Sequence, residues 1–189
     1  ILSGPLESTN QWYSIAKISG MKVCQAYRKQ YSCDFITLLP SNLYGPGDNF
    51  SKKNSHVPAA LIDRFHCAKE KKNENVIVWG SGEPLREFLF VDDMAEACVF
   101  LTENYSSIDP INIGTGKEIS IKEFAKLIQK TVNYNGKIVF DKTKPDGVYR
   151  KLLNVNKINK LGWFAKTSVE MGLKKYYKWY LDNLDYIRR

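Results

Sequence analysis

The stretch DFITLLPSNLYGPGDNF, residues 34–50, decides how this chain folds. Its first half is apolar and β-rich, as in a buried strand, and its second half breaks on proline and glycine into a loop. Residues 11–31, just upstream, carry apolar and small positions on one side of a helical period. A helix feeding a strand whose C-terminal end opens into a loop is the repeating unit of an open α/β sheet. That end of the strand is where such sheets bind ligands.

Inside the helix, QWYSIAKISGMK (residues 11–22) sets Tyr13 and Lys17 four positions apart. One helical turn separates them on a shared face, so the ammonium lies close to the phenol. A nearby cation favours phenolate and lowers a tyrosine pKa from ~10 toward the range of a general acid or base. Ordinary amphipathic helices carry the same spacing, so the pair alone does not assign catalysis.

The rest of the chain reads as alternating elements. HVPAALIDRFHCAKEKKN (56–73) is a helix running out into a charged end, and NVIVWGSGEPLREFLF (75–90) is two strands around a Gly/Pro turn. Asp93 with Glu96 resembles a capping pair for a helix over 93–104, and Ser120 with Glu123 is a capping box for a helix ending near Val132. KIVFD (137–141) is a strand, KPDG (144–147) a turn, and Thr167 with Glu170 opens a last helix whose Tyr/Trp stripe is core packing. Gly114-Thr115-Gly116 lacks the third glycine of a dinucleotide fingerprint and reads as a strand-to-helix turn. With no repeat or clear linker, any two domains are interwoven rather than serial.

The 189 residues, 43% of them hydrophobic, suffice for one or two globular domains, and no apolar run approaches membrane-spanning length. The expected location is cytoplasmic. The first residue is Ile1, and the chain is expected to be an internal piece of a longer protein. Cys24, Cys33, Cys67 and Cys98 form no Cys-x-x-Cys pair and are expected as reduced, buried thiols, with no metal site. The triplets Asn49-Phe50-Ser51 and Asn104-Tyr105-Ser106 matter for glycosylation only in a secreted protein. A net charge of +8 is spread without a basic, aromatic-interleaved stripe, which argues against nucleic acid and is met by a small anionic ligand.

The succession YSIAK (13–17), LLPSNLYGPGDNF (38–50), SHVPAALIDRF (55–65), VWGSGEPLREFLFVDDMAEA (78–97), NIGTG (112–116), KPDGVYRKLLNV (144–155) and LGW (161–163) resembles the extended short-chain dehydrogenase/reductase family, in its branch of nucleotide-sugar epimerase/reductases. The resemblance runs over nearly the whole chain. It implies an α/β fold: residues 1–50 as the last part of a Rossmann domain, and 51–189 as mainly a small α/β substrate-binding domain, with segments near 86–115 returning to the Rossmann domain. The family's glycine-rich cofactor turn, catalytic serine and epimerisation cysteine are not found in this stretch. The expectation is therefore a C-terminal portion that is inactive alone.

The implied reaction is NADPH-dependent epimerisation at C3 and C5, then reduction at C4, of a GDP-4-keto-6-deoxy sugar. By resemblance, Tyr13 protonates the C4 oxygen, Lys17 holds the nicotinamide ribose, and Pro40, Ser41, Asn42 and Leu43 border the nicotinamide of NADP(H). His56 is the epimerisation acid and also borders the cofactor. Arg64, Trp79, Arg86 and Asp146 contact the GDP-sugar, with Lys151 a weaker candidate. Read without the resemblance, His56 is a cap, Arg64 solvated, Trp79 core and Asp146 a turn former. His66, outside every motif, reads as a cap or surface residue. Family members pair through the Tyr-x-x-x-Lys helix, so a homodimer is expected. The alternatives are a nucleotide-sugar 4-epimerase or 4,6-dehydratase, or a non-catalytic nucleotide-sugar-binding fragment.

Overall fold

The computed structural model describes residues 4–51 and 54–187. Helix α1 spans Gln11–Tyr31, as its periodicity predicts. The decisive stretch forms two short strands rather than one, β1 (Leu38–Pro40) and β2 (Asn42–Tyr44), and their residues are mostly half-buried. The split falls where the chain changes partner. β1 runs parallel to β6 (Ile111–Ile113), Ser41 N still donates to Ile113 O at 2.9 Å, and Asn42 begins the parallel pairing of β2 with β5 (Phe88–Phe90).

Helix α2 (Val57–Glu70) follows, with Pro58 in its first turn where a missing N–H costs nothing. Residues 75–90 give three strands instead of two: β3 (Asn75–Trp79), β4 (Leu85–Arg86) and β5. β3 alternates, with Val76 and Val78 turned into the core and Ile77 and Trp79 outward, and it pairs in parallel with β8 (Lys137–Asp141). β4 lies between β7 (Ile119–Ser120) and β9 (Arg150–Lys151).

Helices α3 (Val91–Asn104), α4 (Ile121–Val132), α5 (Asn156–Lys160) and α6 (Val169–Asp182) complete the chain. The Ser120–Glu123 capping box is present on α4, with Glu123 N donating to Ser120 Oγ at 3.1 Å and Ser120 N to Glu123 Oε2 at 3.2 Å. The other two expected caps are corrected. Asp93 caps nothing: it is buried and accepts from Lys166 N at 2.9 Å, Thr167 N at 2.8 Å and Thr167 Oγ1 at 2.7 Å. Thr167 is thereby consumed, and Ser168 caps α6 by accepting from Met171 N at 3.2 Å.

Two apolar clusters form. One gathers residues of β2, α2, β3, α4 and α6 around Phe65, Phe124 and Tyr176; the other gathers β5, β6, α3 and α5 around Leu89, Leu101 and Trp163. The tyrosine stripe of α6 is core, as expected, and each such ring contributes roughly 2–3 kcal/mol by burial. Its hydroxyls also fasten neighbours: Tyr176 Oη donates to Asp48 Oδ2 at 3.0 Å and Tyr180 Oη to Asp63 Oδ1 at 2.8 Å. Burial holds the Tyr176 and Tyr177 phenols above the ordinary range, so they remain donors. His66 is no surface residue. It is buried with Nδ1 at 3.1 Å from Tyr177 Oη. All four cysteines are free but half-buried rather than buried. Among the described residues no helix is long and apolar enough to cross a membrane, and no metal-ligand cluster occurs.

Candidate functional site

The parallel pairing of β3 with β8 sets Trp79 opposite Asp141, so the turns leaving both strands lie side by side. Strand alternation leaves the Trp79 indole 63% exposed, which overturns its reading as a core residue. The Arg64 guanidinium sits 5.7 Å from the indole centre and donates from Nη1 to Ile77 O at 2.7 Å. A cation over an aromatic face is attracted by its quadrupole. Burial lowers the Arg64 pKa, with Asp63 opposing, but a guanidinium stays charged at neutral pH.

Arg86 ends β4 and is held through Nη1 to Leu85 O at 2.8 Å and Tyr149 O at 3.4 Å. Burial also lowers its pKa, opposed by Asp146. Asp146 accepts from Ser81 N at 2.6 Å and from Ser81 Oγ at 2.7 Å, and these bonds hold its carboxyl below the ordinary carboxylate range. Gly80, at φ +87°, has to be glycine, because a Cβ there would run into Asp146 Oδ1. Arg64 is thus paired with Trp79 and Arg86 with Asp146, and the two pairs are joined by chain adjacency, since Asp146 packs on Gly80 next to Trp79 at the end of β3. Two guanidinium forks there suit phosphate oxygens, and the exposed indole suits a planar ring. Lys151 lies opposite Arg86 in the β4–β9 register, exposed. A groove of about 500 Å³ continues from Arg64 between α2 and β3, lined by Phe50, Ala60, Cys67, Lys71, Asn75 and Ile77.

His56 is the N-cap residue of α2, exposed and without a side-chain capping bond. It stands about two turns ahead of Arg64 on the same helix. Residues 40–43 form the crossing from β1 to β2. Asn42 Nδ2 is tied to Glu87 O at 2.8 Å, and Leu43 packs against the second apolar cluster. Ser41 Oγ is buried and has no hydrogen-bond partner among the described residues. A buried hydroxyl left unpaired costs about 1–3 kcal/mol, so an acceptor or donor supplied by a cofactor amide fits this position.

Tyr13 and Lys17 are brought together: Lys17 Nζ lies over the Tyr13 ring, 5.2 Å from its centre. The Tyr13 ring is 59% exposed, and most of α1 is exposed with it.

Two buried carboxylates, Glu87, which motif reading left aside, and Asp93, which it took for a cap, fasten distant segments of the chain. Glu87 is fully buried; its Oε1 accepts from Thr115 N at 2.5 Å and Gly116 N at 2.8 Å, and its Oε2 from Leu153 N at 3.0 Å. The Thr115 and Gly116 amides are thereby spent on protein, which accords with a structural turn rather than a phosphate loop. A charge inside the apolar run LREFLF was the available signal, since a buried carboxylate must find donors. Asp93 acts likewise on residues 166–167.

Parallel strand pairs whose C-terminal ends open into loops are those of an open α/β fold of the Rossmann type, which binds ligands at that edge. The family model for the NAD dependent epimerase/dehydratase family matches residues 1–114, and the chain belongs to that family. GDP-L-fucose synthase 1 of Arabidopsis thaliana is 53% identical over 184 residues, covering 97% of this chain and 57% of the relative. GDP-L-fucose synthase of Escherichia coli (strain K12) is 48% identical over 197 residues, covering 100% of this chain and 61% of the relative. The chain therefore spans little more than half the length of these curated relatives. Among solved structures, a GDP-L-fucose synthetase from Naegleria fowleri bound to NADP is 32% identical at a TM-score of 0.94, covering 100% of this chain and 61% of that one.

Proposed function

We propose that the chain serves the NADPH-dependent 3,5-epimerisation and 4-reduction of GDP-4-keto-6-deoxy-D-mannose to GDP-L-fucose, supplying the nucleotide-sugar site and the Tyr13–Lys17 helix. The observation that carries this is the constellation of Arg64, Trp79, Arg86 and Asp146 at adjoining strand ends. The names and NADP complex of the relatives support the choice of substrate and cofactor. Arg64 and Arg86 take the diphosphate in bidentate fashion, Trp79 offers a face to a planar ring, and Asp146 accepts a sugar or ribose hydroxyl with its remaining lone pairs.

A C4 ketone makes the C3 and C5 hydrogens acidic enough for a base to remove, and the His56 imidazole, which can hold and give a proton, returns one to the carbon. Bound NADPH supplies hydride to C4. Tyr13 gives its proton to the C4 oxygen, and Lys17 favours the phenolate that remains. Residues 40–43 and His56 border the nicotinamide, and Ser41 Oγ finds its partner there.

In this reading residues 1–50, with returning segments near 86–115, complete a cofactor domain, and 51–189 are mainly substrate domain; residues 1–3, 52–53 and 188–189 lie outside the described residues. The protein works in the cytoplasm as a homodimer paired through α1. Equilibrium titration of the chain with GDP, UDP and dTDP tests the assignment. GDP is expected to bind tightest, with Arg86→Ala losing about 10- to 100-fold. Preference for UDP or dTDP, or an unchanged Arg86→Ala variant, would sink it.

A further inference from the structure

Lys144 belongs to no pairing read from the sequence, yet the fold delivers it to the site. Trp79 and Asp141 end their strands side by side, and the turn after Asp141 is stiffened by its own side chain. Asp141 Oδ1 accepts from Thr143 N at 3.0 Å and Thr143 Oγ1 at 2.6 Å, while Lys144 N donates to Asp141 O at 3.2 Å. Two residues on, the Asp146–Ser81 bonds fasten the segment to the turn after β3. Lys144 is therefore held from both ends, and its Nζ lies 5.8 Å from the Trp79 ring centre, against 5.7 Å for Arg64.

Two cations rest on one exposed indole, and a third, Arg86, faces Asp146 two residues beyond Lys144. Lys144 forms none of the ion pairs found among the described residues, and Asp141, the carboxylate it influences, is already engaged by Thr143. Like charges gathered this way repel until an anion joins them. The geometry points to Lys144 as a further ligand of the nucleotide diphosphate beside Arg64 and Arg86, an inference that rests on the nucleotide-sugar reading above. A lysine is a point charge on a four-carbon stem, so the ammonium leaves the indole for the phosphates while its turn stays fixed. The indole face it vacates is then open to a planar ring.

Calorimetric titration of the full chain with GDP and with guanosine, at low and high salt, tests this in Lys144→Met and Lys144→Arg variants. Lys144→Met is expected to weaken GDP about 10-fold at low salt, leave guanosine within about twofold, and flatten the salt dependence. Lys144→Arg is expected to recover most of the loss. GDP affinity unchanged in Lys144→Met overturns the inference while the nucleotide-sugar assignment stands. An equal loss for guanosine does the same, because Lys144 would then act through the indole alone. A wild-type chain that binds no GDP overturns both.

Discussion

The two ends of the proposed chemistry are built to different degrees. At the nucleotide end, three of the ligand-type side chains are fastened by hydrogen bonds: Arg64 to Ile77 O, Arg86 to Leu85 O and Tyr149 O, and Asp146 from Ser81. At the proton-transfer end, Tyr13 and Lys17 have only each other among the described residues, on a helix that leaves most of its surface exposed. Preorganised groups lose little entropy when a ligand arrives, whereas a loosely held pair must be ordered by its surroundings. On the proposed reading, recognition of the nucleotide would rest on residues 56–151 as they stand, and proton transfer on what packs against α1.

The sharpest way to break this contrast is to remove the support beneath the ordered end. Glu87→Ala leaves the part-buried backbone N–H groups of Thr115, Gly116 and Leu153 without their carboxylate acceptor. The expected loss is about 3–5 kcal/mol in urea unfolding, with Glu87→Gln losing roughly half as much because one acceptor oxygen survives. A loss under about 1 kcal/mol would mean that the Gly-Thr-Gly turn is not organised by Glu87. Next in size is Arg86→Ala. It should cost about 1.5–3 kcal/mol of GDP binding but under about 1 kcal/mol of stability, a split that urea unfolding beside calorimetry reads directly.

The Asp146–Ser81 clasp gives a smaller, pH-dependent effect. The folded pKa of Asp146 lies below its ordinary 3.8 because Ser81 donates to the carboxylate. Its contribution is therefore present above that value and is lost as pH falls through the lowered folded pKa. Wild type and Asp146→Ala should differ in Tm at about pH 6 and converge toward about pH 2. Parallel curves across that range would detach the clasp from ionisation.

What the sequence disclosed follows from the range of each interaction. Helix α1 and the α4 capping box are local, and both appear where the pattern put them. Asp93 is different: it was legible as a cap only because Glu96 follows at the right spacing, whereas its real donors lie more than seventy residues downstream. The division of residues 34–50 at Ser41 was hidden for the same reason, since it records a change of strand partner. Arg64, Trp79, Arg86 and Asp146 were legible only through a family pattern. Their individual readings as solvated, core or turn residues contained no hint that β3 and β8 would end together.

The smallest expected effect isolates the loose end. Tyr13→Phe removes one hydroxyl that donates and accepts nothing among the described residues, and it keeps the ring beneath Lys17 Nζ. Stability should change by no more than about 0.5 kcal/mol, and GDP affinity by less than about twofold. The substitution is nonetheless expected to abolish proton delivery to the C4 oxygen wherever the reaction is assembled, because a phenyl ring has no proton to give. A binding titration and a melting curve on Tyr13→Phe therefore measure whether the two ends are energetically separate. Were GDP to bind several-fold more weakly, the phenol would belong to the nucleotide site as well, and α1 would be coupled to the strand ends through packing rather than joined to them only by the reaction.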